Sequence, residues 1–316
     1  METRYLDGSN SSVYMRYQKA SRAAQGMDIW QDKAFILYDT GICAIYDLEN
    51  KKLNPDAVFP LASYNAGKPT DDYLNHANHC MFSTIHHEGN PIPVLYITIG
   101  TGIGYDEDGY YYRCAAENIV ATRHENGEIT YNSQLLQTIT YHPDGIENTP
   151  FEPPCWGCPA FFVDTEKGFL YIFSAKYRTK RGCVPEGEKN HYIITKFPLP
   201  ELSKGGLVKL TPADILDQFT VQSDVPFTQG GALYNGRLYY TYGCPCAGYS
   251  VYVHAFNLEE KCLEVQVGNL DEAFNQEEVE CCAVYKGMLL CNTNNNGVIK
   301  NGTGGLYIVQ EGIFPL

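Results

Sequence analysis

The chain has 316 residues, of which 19% are charged, and a formal net charge of −14. Charge of that sign opposes a phosphate backbone, and no Lys/Arg stripe or RNA-binding aromatic motif offsets it, which argues against a nucleic-acid partner. No apolar run reaches the roughly 18 residues that a membrane-crossing helix needs.

Short β-branched and aromatic runs alternate with Gly, Asn, Asp and Pro clusters from end to end, and Tyr alone numbers 25. This is all-β composition. Residues 1–316 read as a single domain, because closed all-β architectures reach this length around one centre. The N-terminus METRYLDGSNSS lacks the basic and apolar regions of a signal peptide, so the chain as written reads as cytoplasmic; a leader already removed would make it periplasmic or secreted. Twelve cysteines in a leaderless chain read as reduced thiols, with disulfides as the exported alternative.

In chain order, residues 11–18, SSVYMRYQ, form an orphan strand. A first repeat follows: a strand from Gln25, a turn at Gln31-Asp32, AFILY, ICAIYDL and VFPLAS. The second holds NHANHCMF, VLYITIG, YYYRCAAENIVAT and ITYNSQLLQTITY. The third holds CWGCPAFFVD, FLYIFS, NHYIITKFPL and a weak last strand near 206–221. The fourth runs TQGGALYNGRLYYTYG to YSVYVHAFNLEEKCLEVQVGNL. The fifth, VECCAVYKGMLLCNT with GGLYIVQ, shows three strands before the chain ends. Short helices are expected at TPADILDQF, capped by Thr211, and at LDEAFNQEEV, capped by Asp271.

Four-strand repeats of about 40–50 residues or longer predict propeller blades. Five repeats predict a five-bladed β-propeller, with six blades as the alternative. The orphan N-terminal strand is expected to complete the last blade, closing the ring and hiding two sheet edges. Alignment of the first strands puts Gln25, Asn78, Gly157, Gln229 and Glu280 in one column facing the central channel. The blade rhythm resembles the β-propeller superfamily, and QGMDIW followed by NHANHCMF is similar to uncharacterised bacterial propeller proteins of gut anaerobes; that resemblance implies a fold and no activity.

The long loops fall on one face, including the segments leading into the inner strands and GCPCAGYS, while turns on the other face are tight. Long loops on a rigid ring carry recognition. The candidate site is therefore the channel mouth, where Gln25, His76, Asn78, His79, Trp156, Gln229 and Glu280 would offer amide, imidazole, carboxylate and indole groups to a small polar ligand of carbohydrate type, neutral or anionic. Lys176, Arg178, Lys180 and Arg181 form the dense basic loop on that face, a place for an anionic group or simply a solvated loop. A polar, water-filled channel without a ligand is the plainer reading.

Catalysis is a further alternative: Glu280, with Glu278, Asp71 and Asp72 nearby, would suit a hydrolase acid, and His76 or His79 a lyase base. Asp28 has the opposite strand parity from Gln25 and should face away from the channel. Cys155, Cys158, Cys244 and Cys246 have spacings that a zinc ion would accept, with disulfides or free thiols as alternatives. A saccharide or other small molecule is the expected partner, with a protein-interaction scaffold as the rival reading.

Overall fold

The computed structural model describes residues 2–18, 20–63, 76–100, 112–141, 156–175, 185–223, 228–295, 304–314 and 316, with the backbone alone at 76, 100, 112 and 156–159. Two short strands come first, β1 (Arg4–Asp7) and β2 (Ser12–Arg16). Blade one is β3 (Ala24–Trp30), β4 (Lys33–Tyr38), β5 (Ile42–Asp47) and β6 (Lys52–Pro60). Blade two is β7 (His76–Phe82), β8 (Leu95–Gly100), β9 (Tyr112–Arg123) and β10 (Ile129–Thr140). Blade three begins β11 (Trp156–Asp164), β12 (Phe169–Ala175), β13 (Asn190–Pro198); β14 (Leu207–Lys209) intervenes, and β15 (Asp217–Ser223) completes it. Blade four is β16 (Thr228–Tyr234), β17 (Arg237–Cys244), β18 (Tyr249–Asn257) and β19 (Cys262–Gly268). After the one-turn helix α1 (Leu270–Ala273), blade five holds β20 (Glu278–Tyr285), β21 (Met288–Asn294) and β22 (Gly305–Ile308).

These five sheets form a ring, a five-bladed β-propeller. The N-terminal strand closes it as expected: β2 pairs antiparallel with β22, with Val13 opposite Tyr307 and Arg16 opposite Gly305. Four apolar clusters fill seams between blades. Phe35, Leu37 and Ile45 of blade one meet Leu95, Ile97 and Ile119 of blade two; Met27, Ile36 and Tyr46 meet Leu290 and Leu306 of blade five. Middle strands are thus covered on both faces, which is why AFILY is continuously apolar rather than alternating. The turn at Asn235-Gly236, φ 47° and 69°, uses the left-handed pair that matches the twist of a hairpin.

Three expectations change. The weak strand of 206–221 is two strands: β15 completes blade three, whereas β14 crosses to blade two and pairs parallel with β10, Thr138 opposite Leu207. A one-turn 3-10 helix at Pro212–Asp214 separates them, where the Thr211 N–H donates to the Asp214 carboxylate at 2.8 Å. β1 was not foreseen as a strand; it adds parallel to β19, Arg4 opposite Val265. The cap of α1 is Asn269 rather than Asp271, whose carboxylate instead accepts the Val251 N–H at 2.6 Å.

Candidate functional site

All five inner strands carry a β-bulge, and each of these bulges falls on the aligned column, whose members are polar except Gly157. Pairing is interrupted between Ala24 and Met27, His76 and His79, Trp156 and Ala160, Thr228 and Gly231, and Val279 and Cys281. These intervals contain Gln25, Asn78, Gly157, Gln229 and Glu280. A bulge leaves a residue without its ladder partner, bends the strand and re-aims the side chain. Freed backbone groups find other partners: the Gly230 N–H donates to the Thr241 hydroxyl at 3.3 Å, and that hydroxyl donates to the Gly230 carbonyl at 2.8 Å.

The bulges bring the inner strands together at the hub. A Cβ on Gly230 would lie 2.9 Å from the carbonyl oxygens of both Asn78 and Glu280, so blade four touches blades two and five at this level. One on Gly26 would lie 2.8 Å from the Ala77 carbonyl oxygen. Glycine is required here because any side chain would collide with backbone. The expected open channel is therefore closed between β7, β16 and β20 at the level of the column, and its polar residues are deeply set: Gln25 and Asn78 are 4% exposed, Glu280 3% and Gln229 9%.

Their partners differ. The Gln229 side-chain Nε2 donates to Glu278 Oε1 at 3.0 Å across the seam between blades four and five, while the Gln229 backbone carbonyl accepts the Tyr240 hydroxyl at 2.8 Å. The Gln25 carbonyl accepts Asn292 Nδ2 at 2.5 Å, yet the side-chain Oε1 of Gln25 is buried with no hydrogen-bond partner among the described residues. A buried acceptor left unpaired costs about 1–3 kcal/mol.

His79 takes a different place from the one expected of it beside Asn78 at the mouth. It is wholly buried, its ring centroid 4.3 Å from that of Phe162 and its Nδ1 3.7 Å from Cys281 Sγ. Burial holds its pKa down at about 3, only partly offset by the backbone of Phe161 and Gly231, so the ring is neutral. It packs the hub instead of lining the mouth, against Phe162 and Cys281. The Asp28 carboxylate is held by backbone, accepting the N–H groups of Phe82 at 2.5 Å and Ile29 at 2.7 Å. Burial pushes it up to about 7.

His76 and Trp156 stand at the starts of β7 and β11, and Cys158 lies within β11; their side chains lie outside the description. Asp71, Asp72, Cys155, Lys176, Arg178, Lys180 and Arg181 lie outside the described residues. Cys244 and Cys246 are neighbours, Sγ to Sγ 3.3 Å, with Glu278 beside Cys244. Among the described residues no three His, Cys, Asp or Glu side chains gather as metal ligands, so the zinc expectation has only its blade-four half on view. Two contributors went unrecognised in the sequence: Asn292, whose signal is a polar residue within the apolar run LLCNT, and Glu277, hidden in the acidic run QEEVE, whose buried carboxylate accepts Arg16 Nη1 and the Thr293 and Tyr307 hydroxyls. No described helix is long and apolar enough to cross a membrane.

A ring of five four-stranded blades, closed by its N-terminal strand and bulged at one level, places the chain among the five-bladed β-propellers. No family model and no curated protein matches it. Similar solved structures include the glutaminyl cyclase of Myxococcus xanthus, 13% identical with 98% of each chain covered and a TM-score of 0.47. Another is a putative oxidoreductase (glucose dehydrogenase) from Thermus thermophilus, 12% identical over 95% of this chain and 99% of that one, TM-score 0.46. Likeness at that level transfers no activity.

Proposed function

We propose that the protein binds a small polar ligand of carbohydrate type, neutral or anionic, at the loop-bearing face of the hub, with Gln25, Asn78, Gln229 and Glu280 as its floor. The observation that carries this reading is the coincidence of the five bulges with one aligned column, polar in four of its five members. Bulges serve to re-aim side chains and gather next to sites, and a purely structural hub would be packed more cheaply with apolar residues on regular strands. Amides and carboxylates on a rigid floor offer the paired donors and acceptors that sugar hydroxyls need. Trp156, His76 and the Lys176–Arg181 loop belong to the proposal as wall and anion contacts.

The test is a thermal-shift screen of neutral and acidic saccharides on the wild type and on Gln25→Ala and Gln229→Ala. A ligand present at about 100 times its Kd stabilises by about 2.7 kcal/mol. The reading expects a saccharide-specific rise in Tm that both variants lose. No shift with any saccharide, or equal shifts in wild type and variants, would overturn it and leave the scaffold reading in its place.

A further inference from the structure

Cys244 closes β17 and Cys246 sits on the one-turn 3-10 helix Pro245–Ala247 that follows. The turn is built to bring the two sulfurs to one side. Gly243 has φ +116° beside the register shift between Tyr242 and Cys244, and a Cβ there would collide with the Ser250 carbonyl oxygen. Pro245 opens the helix with its preset φ, and Gly248 ends it in the left-handed conformation at φ 82°. The result is a sulfur-to-sulfur distance of 3.3 Å. A disulfide needs about 2.05 Å, so closure asks for side-chain rotation and a small shift of one turn.

The two thiols are unlike. Cys246 is exposed and Cys244 is buried. Burial pushes the Cys244 thiol up, and the neighbouring Glu278 carboxylate adds to the shift. Glu278 is itself held by the Gln229 amide at 3.0 Å. Another close pair, Cys282 and Cys291, faces across β20 and β21 but is wholly buried, beyond the reach of a soluble oxidant.

We propose that Cys244 and Cys246 are a redox-active dithiol that takes small-molecule disulfides as its oxidant. The Cys246 thiolate attacks one sulfur of RS–SR; the S–S bond breaks, and RS⁻ leaves and is protonated to RSH. Cys244 then gives its proton to the Glu278 carboxylate and attacks the Cys246 sulfur, expelling a second RS⁻ that is protonated in turn. The two cysteines lose two electrons and two protons, and RS–SR is reduced to two RSH. Attack from the exposed side, with the buried thiol resolving the mixed disulfide beside a base, follows from the difference in exposure.

The full chain, incubated with oxidised or reduced glutathione, alkylated and mapped by peptide mass, tests this. Oxidation should remove two hydrogens from the peptide that holds both residues and protect both from alkylation, reversibly with dithiothreitol. Cys244→Ser should trap a glutathione adduct on Cys246, whereas Cys246→Ser should leave Cys244 unmodified; circular dichroism confirms that both variants fold. Three outcomes would overturn the proposal: both thiols stay alkylatable after oxidation, Cys246 links to a cysteine other than Cys244, or protection appears without mass loss and is removed by a chelator, which marks a metal-thiolate site.

Discussion

The Sγ of Cys281 lies 3.7 Å from Nδ1 of His79 and within 3.6 Å of the carbonyl oxygens of Met27 and Gly231. With Phe162 against the other side of His79, inner strands of all five blades meet around these two side chains. A neutral imidazole and a neutral thiol thus hold the centre of the ring, since burial lowers the pKa of one and raises that of the other. Charging either would put an ion where no water reaches.

Acid should therefore open the ring. His79 and His254 both have pKa values lowered to about 3 by burial. Below the ordinary value of 6.5 the unfolded chain takes up protons that the native state refuses, so stability is lost as pH falls from 6.5 towards 3, by about 1.4 kcal/mol per unit for each group. Urea denaturation at pH 7.5 and pH 5 should show this fall. His254→Leu, in the ring cage of Tyr242, Tyr192 and Phe256, should flatten it; an unchanged slope would show that His254 is not one of the groups.

Asp28 acts with the opposite sign. Its native pKa of about 7 against 3.8 unfolded means that the native state keeps a proton the unfolded chain has released. Its contribution is present below pH 4 and lost as pH rises through 7. Asp28→Asn should leave stability nearly unchanged at pH 4 and raise it at pH 8, by an amount on the order of 2 kcal/mol or more. Chemical denaturation at the two pH values reads this directly, and equal effects at both would refute it.

Closure of the ring depends on a long-range ion pair. Arg16 Nη1 donates to Glu277 Oε1 at 2.6 Å, and the other carboxylate oxygen accepts the hydroxyls of Thr293 and Tyr307 at 2.7 and 2.8 Å. Glu277 is fully buried while Arg16 is partly exposed. Arg16→Ala leaves a buried carboxylate without its cation and should cost about 2 kcal/mol, less than the 3–5 of a fully buried pair because water reaches the arginine side. Hydrogen exchange should then rise first in β2 and β22. Uniform exchange across the five blades would contradict the assignment.

Gly230→Ala would test the closed hub. Its Cβ would come within 2.9 Å of two carbonyl oxygens and of Cys281 Sγ, and overpacking of this kind costs about 1–3 kcal/mol. Asn235→Ala, at the opposite end of the same hairpin, should cost less, since the φ of 47° there strains an alanine without any packing clash. Equal losses in denaturation midpoints would mean that the hub is looser than the distances indicate.

Much of the ring was legible in the residues themselves. Apolar runs such as AFILY and ICAIYDL, turn pairs such as Asn235-Gly236, and the lone strand before the first repeat specify five blades and their closure, because periodicity and turn chemistry are local properties. The alignment of Gln25, Asn78, Gln229 and Glu280 was legible for the same reason. Tertiary structure alone decided the rest. The bulges are a matter of register between two strands, and His79, expected at the mouth beside Asn78, lies in the packed hub where the inner strands meet. The parallel docking of β1 on β19 and of β14 on β10 depends on edges that exist only once the blades have formed. The meeting of Glu278 with Gln229, and of Arg16 with Glu277, joins positions that chain closure brings together and that no local pattern encodes.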